Sequence, residues 1–320
     1  MKNVLILSAG RRVELVESFL KEINSKNYDI KLFTTDIKPN YSAACKKIEN
    51  YFPSIEANDP NYINFLLEKS KTYDIGMIIP TIDTELLTLS KNIELFKSNE
   101  INIIVSNPDL IEVCSDKRLT FNFFNNLNLD TPIIYKKDKL KFPCFVKPHS
   151  GSSSIGCLKI YKKEDLSISI INNDKIIFTE LIGGEFSEYT VDMYYDQSGE
   201  LKCLVPRQRI EVRAGEVSQG ITRKNYAYDY LLTHFKNLPG ARGCITLQLF
   251  YNNKTHKIYF IEINPRFGGG FPLSYSAKAN YPGWLLDEYF FNRKIAFFDN
   301  WEKDLLMLRY DSKILVHGIS

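Results

Sequence analysis

The chain has 320 residues, 44% of them hydrophobic, which is enough apolar material for a large core and fits two or three subdomains better than one. Its 41 basic and 38 acidic residues leave a formal net charge of +3, so no global field argues for a nucleic-acid partner, and six scattered cysteines without a Cys-x-x-Cys pair indicate neither a zinc site nor a disulfide framework. The apolar run after Met1 is short and soon interrupted by Arg11 and Arg12, so no signal peptide or membrane span is expected and a cytoplasmic location fits best.

Residues 4–7 read as a short buried strand, followed by a turn, Ser-Ala-Gly-Arg-Arg at 8–12, and a helical pattern through Val13, Leu15, Val16, Phe19 and Leu20. Further strands are expected at 31–35, ending at Asp36, at 75–79 before Pro80, and at 101–105. Apolar strands alternating with helices predict a parallel sheet, and the loops after its strand carboxyl ends are where ligands bind. That rule singles out residues 8–12, Asp36 and the stretch from Thr81 to Glu85. A nicotinamide site is disfavoured, because the first turn lacks Gly-x-Gly-x-x-Gly and Asp36 equally suits a turn or a helix cap.

A helical pattern over residues 109–128 is broken at residues 129–132, Leu-Asp-Thr-Pro, and a boundary falls near there. Residues 142–161 then read as strand, glycine and serine loop, strand: a hairpin with an enlarged tip. Two more β-rich blocks follow at 175–205 and 243–263, and the last two strands are joined by residues 252–257.

The chemistry concentrates in these later blocks. Glu262 and Asn264 alternate along a strand and share a face, where two oxygen donors suit a hard divalent cation. Arg266 reaches the same space if the extended run persists through Pro265, and the glycines at 268–270 admit close approach to the backbone. Gln248, in an otherwise apolar strand, wants a polar partner; pairing of Tyr251 with Tyr259 would set it opposite Glu262, whereas a register shifted by one would separate them. Lys147 precedes the small-residue loop at 150–156, which is rich in N–H groups that suit phosphate oxygens, yet its order excludes a Walker P-loop. Glu180, Glu185 and Glu188 surround a Gly-Gly bend, and Glu180 or Glu188 could accept ribose hydroxyls. Arg207, Arg209, Glu211 and Arg213 alternate along an extended segment, a face suited to a carboxylate or to plain solvent; Glu216 could meet an ammonium group.

In order and spacing, these elements resemble the ATP-grasp superfamily, particularly its carbamoyl-phosphate-synthase-like and pyrrolysine-synthesis-ligase-like carboxylate ligases. The resemblance rests on Ser115-Asp116-Lys117, on Phe145-Val146-Lys147 with the following loop, on Glu180-Leu181-Ile182 with Glu188, and on Gln248 with Glu262, Asn264 and Arg266. It implies an α/β chain, α+β overall: a parallel-sheet pre-ATP-grasp domain over residues 1–114, then a two-subdomain ATP-grasp fold with a small lid at 115–178 and a catalytic part at 179–320. It further implies that Lys117, Lys147 and the serines Ser152, Ser153 and Ser154 meet ATP phosphates, that residues 180–182 meet adenine, and that Glu188, or else Glu185, meets ribose. Gln248, Glu262 and Asn264 would hold Mg²⁺, with Mn²⁺ as the alternative, and Arg266 would act with Lys147 on the transferred phosphoryl group. The implied reaction joins a small carboxylate, an amino acid or related metabolite, to an amine with release of ADP and phosphate; a phosphotransferase or a non-catalytic nucleotide-binding module is the alternative. Arg207, Arg209, Arg213 and Glu216 are the candidate substrate residues, the expected partners are small molecules, and a homodimer is the commonest assembly for such a chain.

Overall fold

The computed structural model describes residues 2–151, 156–213 and 215–318. Its first sheet is parallel, with β1 (Asn3–Ile6), β2 (Leu32–Asp36), β3 (Tyr51–Pro53), β4 (Ile75–Ile79) and β5 (Asn102–Ile103) in the order β3-β2-β1-β4-β5. The apolar character of β1 has a direct cause, since both its faces are covered. Val4 and Ile6 join one buried cluster with Phe19 of the helix Val13–Ser25, while Leu5 packs with Tyr62, Leu66 and Leu86 in another. Residues 101–105 contribute only two residues to the sheet, less than the apolar run implies. Asp36 acts as a turn residue, its carboxylate accepting the Gly10 N–H at 3.0 Å and the Lys38 N–H at 3.0 Å.

The expected helix at 109–128 is two helices, Pro108–Ser115 and Lys117–Asn126. Asp116 breaks them apart: it takes an extended conformation and its carboxylate caps the second helix through the Arg118 N–H at 2.8 Å. A four-stranded antiparallel sheet follows, with β6 (Ile134–Tyr135), β7 (Cys144–Pro148), β8 (Leu158–Ile160) and β9 (Ile176–Glu180) in the order β6-β9-β7-β8. β7 and β8 are the expected hairpin, paired Cys144 to Ile160 and Val146 to Leu158. β9 continues two residues past 178, so the small sheet closes at Glu180. Its core is small: Cys144, Val146, Ile160 and Phe178 are its fully buried members.

The third sheet has six antiparallel strands: β10 (Phe186–Tyr195), β11 (Leu201–Arg213), β12 (Glu216–Thr222), β13 (Gly243–Asn252), β14 (Ile258–Asn264) and β15 (Leu306–Leu308), ordered β14-β13-β10-β11-β12-β15. Val191, Met193, Leu247 and Phe260 pack in the same cluster as Val4, Ile6 and Phe19, so the first and third sheets share one core. No helix among the described residues is long and apolar enough to cross a membrane.

Candidate functional site

One face of the six-stranded sheet floors a cavity of about 790 Å³, walled by the four-stranded sheet and bordered by Arg12 from the loop after β1. That is a common size for a small-molecule site. Thr190 stands opposite both Arg207 and Gln248, Gln248 opposite Glu262, and Thr246 opposite Asn264, so cross-strand pairing itself gathers these side chains on the floor.

The register that achieves this differs from the expected one. Tyr251 pairs with Ile258 and Tyr259 with Phe250, one residue away from a Tyr251–Tyr259 pair. Left uncorrected, that offset would separate Gln248 from Glu262. A bulge at Ile261 restores the pairing, because Leu249 faces Phe260 whereas Gln248 faces Glu262. The extra residue also reverses parity: Phe260 is 1% exposed in the core, and Glu262, two residues on, lines the cavity. β14 ends at Asn264, and the Arg266 N–H donates to the Asn264 carbonyl at 2.8 Å, so Arg266 arrives by a tight turn and not by a continued strand. It lines the cavity nonetheless.

Around Glu262 the amides are oriented by carboxylates. Asn264 Nδ2 donates to Glu262 Oε1 at 3.1 Å, and Gln248 Nε2 donates to Glu188 Oε1. With both NH₂ groups so engaged, the amide oxygens remain as acceptors beside Glu262, that of Gln248 and that of Asn264, which also accepts Arg266 Nη2 at 3.4 Å, a donor set that fits a hard cation. Among the described residues no group of three or more His, Cys, Asp or Glu side chains forms a metal cage, so the amides are essential to that fit. Burial pushes the Glu188 carboxyl up, opposed by Arg209 and by the Gln248 hydrogen bond and reinforced by the charge of Glu262.

Lys147 on β7 is 4% exposed, its ammonium 4.9 Å from the centre of the Phe121 ring. Burial pushes it down to about 8, with Glu262 pulling the other way and Lys117 adding to the depression. Lys117 donates to the Gly151 carbonyl at 2.7 Å and lies 3.9 Å from Glu262. The two lysines and the metal-candidate carboxylate therefore meet at one end of the cavity. Ser152, Ser153 and Ser154 lie outside the described residues. Glu180, Leu181 and Ile182 line a flank whose apolar walls include Pro132, Phe145, Phe250 and Ile261. Glu185 is paired instead with Lys254 at the surface and is absent from the lining.

The candidate substrate residues separate. Arg207 and Arg209 line the cavity, but a bulge at Ile210 reverses the alternation beyond them, so the four-residue face expected from parity ends at Arg209. Arg213 is outside the lining, in a surface pair with Asp311 at 2.5 Å. Arg207 is 1% exposed and forks onto the fully buried Asp192 at 2.8 and 3.0 Å, an ion pair that also accepts the Ser274 hydroxyl at 2.6 Å. It holds the sheet together whatever else it does. Glu216 lines the cavity and meets Arg309 at 3.3 Å.

The glycines admit close approach, but by the protein's own groups. A Cβ on Gly270 would fall 2.2 Å from the Arg207 guanidinium, and one on Gly269 would fall 2.7 Å from the Glu216 carboxylate. Two residues at the site were not among the candidates. Arg12 lines the cavity, and Asp83, first residue of the helix Asp83–Ser90, is outside the lining but accepts both Nε and Nη2 of the lining residue Arg266 at 2.7 Å. The strand-end rule had marked both loops without indicating which residue in each would reach across the domains.

Two family models match: the PylC-like N-terminal domain over residues 4–104 and the ATP-grasp domain over residues 114–270. Among curated relatives, D-alanine--D-alanine ligase B of Clostridium perfringens is 31% identical over 87 residues, 22% of this chain and 29% of that protein. D-alanine--D-alanine ligase of Wolbachia pipientis wMel is 25% identical over 179 residues, 49% of this chain and 56% of that protein. The chain thus spans about half or less of these relatives' lengths.

Among solved structures, the biotin carboxylase domain of Hydrogenobacter thermophilus 2-oxoglutarate carboxylase, in complex with MgADP, ADP and bicarbonate, matches with TM-score 0.72 and 15% identity, covering 95% of this chain and 73% of that one. N5-carboxyaminoimidazole synthetase of Staphylococcus aureus, complexed with ADP, gives TM-score 0.69 at 14% identity over 89% of this chain and 76% of that one. The L-amino acid ligase of Bacillus licheniformis gives 0.65 at 16% over 90% and 74%. At such identities the structural likeness establishes the fold. With a family model on each part of the chain and the fold shared across nearly all of it, the chain belongs to the ATP-grasp superfamily, carrying a PylC-like N-terminal domain ahead of its ATP-grasp domain.

Proposed function

We propose that this chain is an ATP-dependent carboxylate–amine ligase, which phosphorylates a small carboxylate, an amino acid or related metabolite, and lets an amine displace the phosphate. The observation that carries the reading is the meeting of Lys117, Lys147, Gln248, Glu262, Asn264 and Arg266 on one cavity beside an apolar flank. Residues 1–114 would be the pre-ATP-grasp domain, 115–178 the lid and 179–320 the catalytic part. The nucleotide-bound neighbours and the ligase relatives support ATP as the nucleotide.

In this reading the adenine lies against residues 180–182. Glu188 has Gln248 and Arg209 on its Oε1 side, which leaves Oε2 for a ribose hydroxyl. Lys117, Lys147 and the serines at 152–154 hold the phosphates. Mg²⁺, held by Glu262, Asn264 and Gln248, supplies neutralisation of triphosphate charge. Arg266, kept in position by Asp83, lies where charge develops on the transferred group. No protein nucleophile is needed: the attacking atom is a substrate carboxylate oxygen, and the one cysteine of the lining, Cys157, has its thiol pushed up by burial and so stays protonated. The catalytic work is positioning, charge neutralisation and exclusion of water from the acyl phosphate.

The test is ADP and phosphate release by the purified chain with MgATP across pooled amino acids and amines. Release that requires both a carboxylate and an amine supports the ligase. A stable phosphorylated product without coupling would make it a phosphotransferase, and nucleotide binding without turnover on any pool would make it a binding module.

A further inference from the structure

Three guanidinium groups, those of Arg12, Arg266 and Arg309, lie close enough for their charges to act on one another, and two of them are tied to acids. Arg266 is forked onto Asp83, and Arg309 meets Glu14 at 2.6 Å, Glu216 at 3.3 Å and the Gly269 carbonyl at 2.7 Å. Arg12 is different. It precedes the helix Val13–Ser25, lines the cavity, and its Nη1 is buried with no hydrogen-bond partner among the described residues. The nearest charges leave it poorly compensated: Glu216 and Asp83 favour its cation, but each already serves another arginine, while Arg266 and Arg309 oppose it. Desolvation is the larger effect, and with the charges of Arg266 and Arg309 it brings the Arg12 guanidinium down to about 10. A guanidinium with a buried N–H edge left unbonded is costly to a fold, and arginine is the residue type best suited to a planar carboxylate.

We propose that Arg12 anchors a carboxylate of the substrate that does not react, so that the amine partner of the ligation is an amino acid recognised by its own carboxylate. The inference rests on the ligase reading. A guanidinium fork engages both oxygens of a carboxylate and withdraws the lone pair that must attack phosphorus, so Arg12 suits the spectator carboxylate and not the one being activated. Glu216 lies close enough to influence Arg12 and offers a carboxylate to the ammonium end of the same molecule.

The experiment is calorimetric titration of the MgADP-loaded chain with the common L-amino acids and D-alanine, and with the amide of every one that binds, on wild type, Arg12→Ala and Arg12→Lys. At least one amino acid should bind wild type, bind Arg12→Ala at least about tenfold more weakly, recover part of that loss in Arg12→Lys, and lose most of its affinity as its amide. MgADP affinity within about twofold of wild type shows that the variant is folded. The proposal is overturned if no amino acid binds, if Arg12→Ala binds as wild type does, or if the amide binds as well as the acid. A merely structural Arg12 would lower thermal stability and leave acid and amide equally affected. Amino-acid binding that follows this pattern without any turnover would sink the ligase reading and spare the anchor.

Discussion

Lys147 shows how a functional group can weigh against the fold that carries it. Its ammonium is held at about 8 against an ordinary 10.5, so the folded chain bears the full cost of the buried charge below pH 8 and is relieved of it as pH climbs from 8 toward 10.5. The Phe121 ring offsets part of that cost, on the order of 1 kcal/mol. Lys147→Met keeps the packing and removes the charge. It should therefore melt about 2 °C above wild type at pH 7, with the gap closing by pH 10, while MgADP affinity falls at least about tenfold. A variant that melts below wild type at pH 7, or that keeps its MgADP affinity in titration, would show that the lysine is structural. Glu188 and Arg207 illustrate the same scale from the other side. Their residue types were readable as candidates, but only the structure shows that Arg207 has a buried acid of its own and that Glu188 has one oxygen already engaged.

At the scale of elements, the decisive features are a bulge and a turn. Ile261 carries Glu262 back into register with Gln248, and the turn after Asn264 delivers Arg266 to Asp83 across the domain junction. Asp83→Ala should leave Arg266 unheld and lower kcat/KM for ADP release by about 10- to 100-fold, with MgADP affinity within about twofold of wild type. Equal kcat/KM in steady-state assays would remove Asp83 from the positioning of that guanidinium. The parallel sheet, the 142–161 hairpin and the polar face around Glu262 were legible in the sequence, because strand alternation and apolar runs report burial directly. The bulges at 210 and 261 were not, since one added residue leaves composition and local propensity unchanged while reversing every later side chain. The helix break at Asp116 was signalled only by a capping residue inside an otherwise continuous pattern. Arg12 lines the cavity beside Arg266, and Asp83 holds Arg266 from 183 residues away, juxtapositions that no local pattern encodes.

For the whole molecule, the first and third sheets share one continuous core while the four-stranded sheet has a small core of its own. Local stability follows buried contact, so amides of residues 134–180 should exchange hydrogen faster than those of β10 and β13 and should slow on addition of MgADP. Exchange mass spectrometry reads both effects; equal protection of the two sheets, or no change with nucleotide, would argue against a closing lid. The central claim, that a substrate carboxylate attacks the γ-phosphorus of ATP, is tested most directly by following its oxygen. With the carboxylate carrying heavy oxygen, ligation through an acyl phosphate places one labelled atom in each inorganic phosphate released. Phosphate released without label would contradict it.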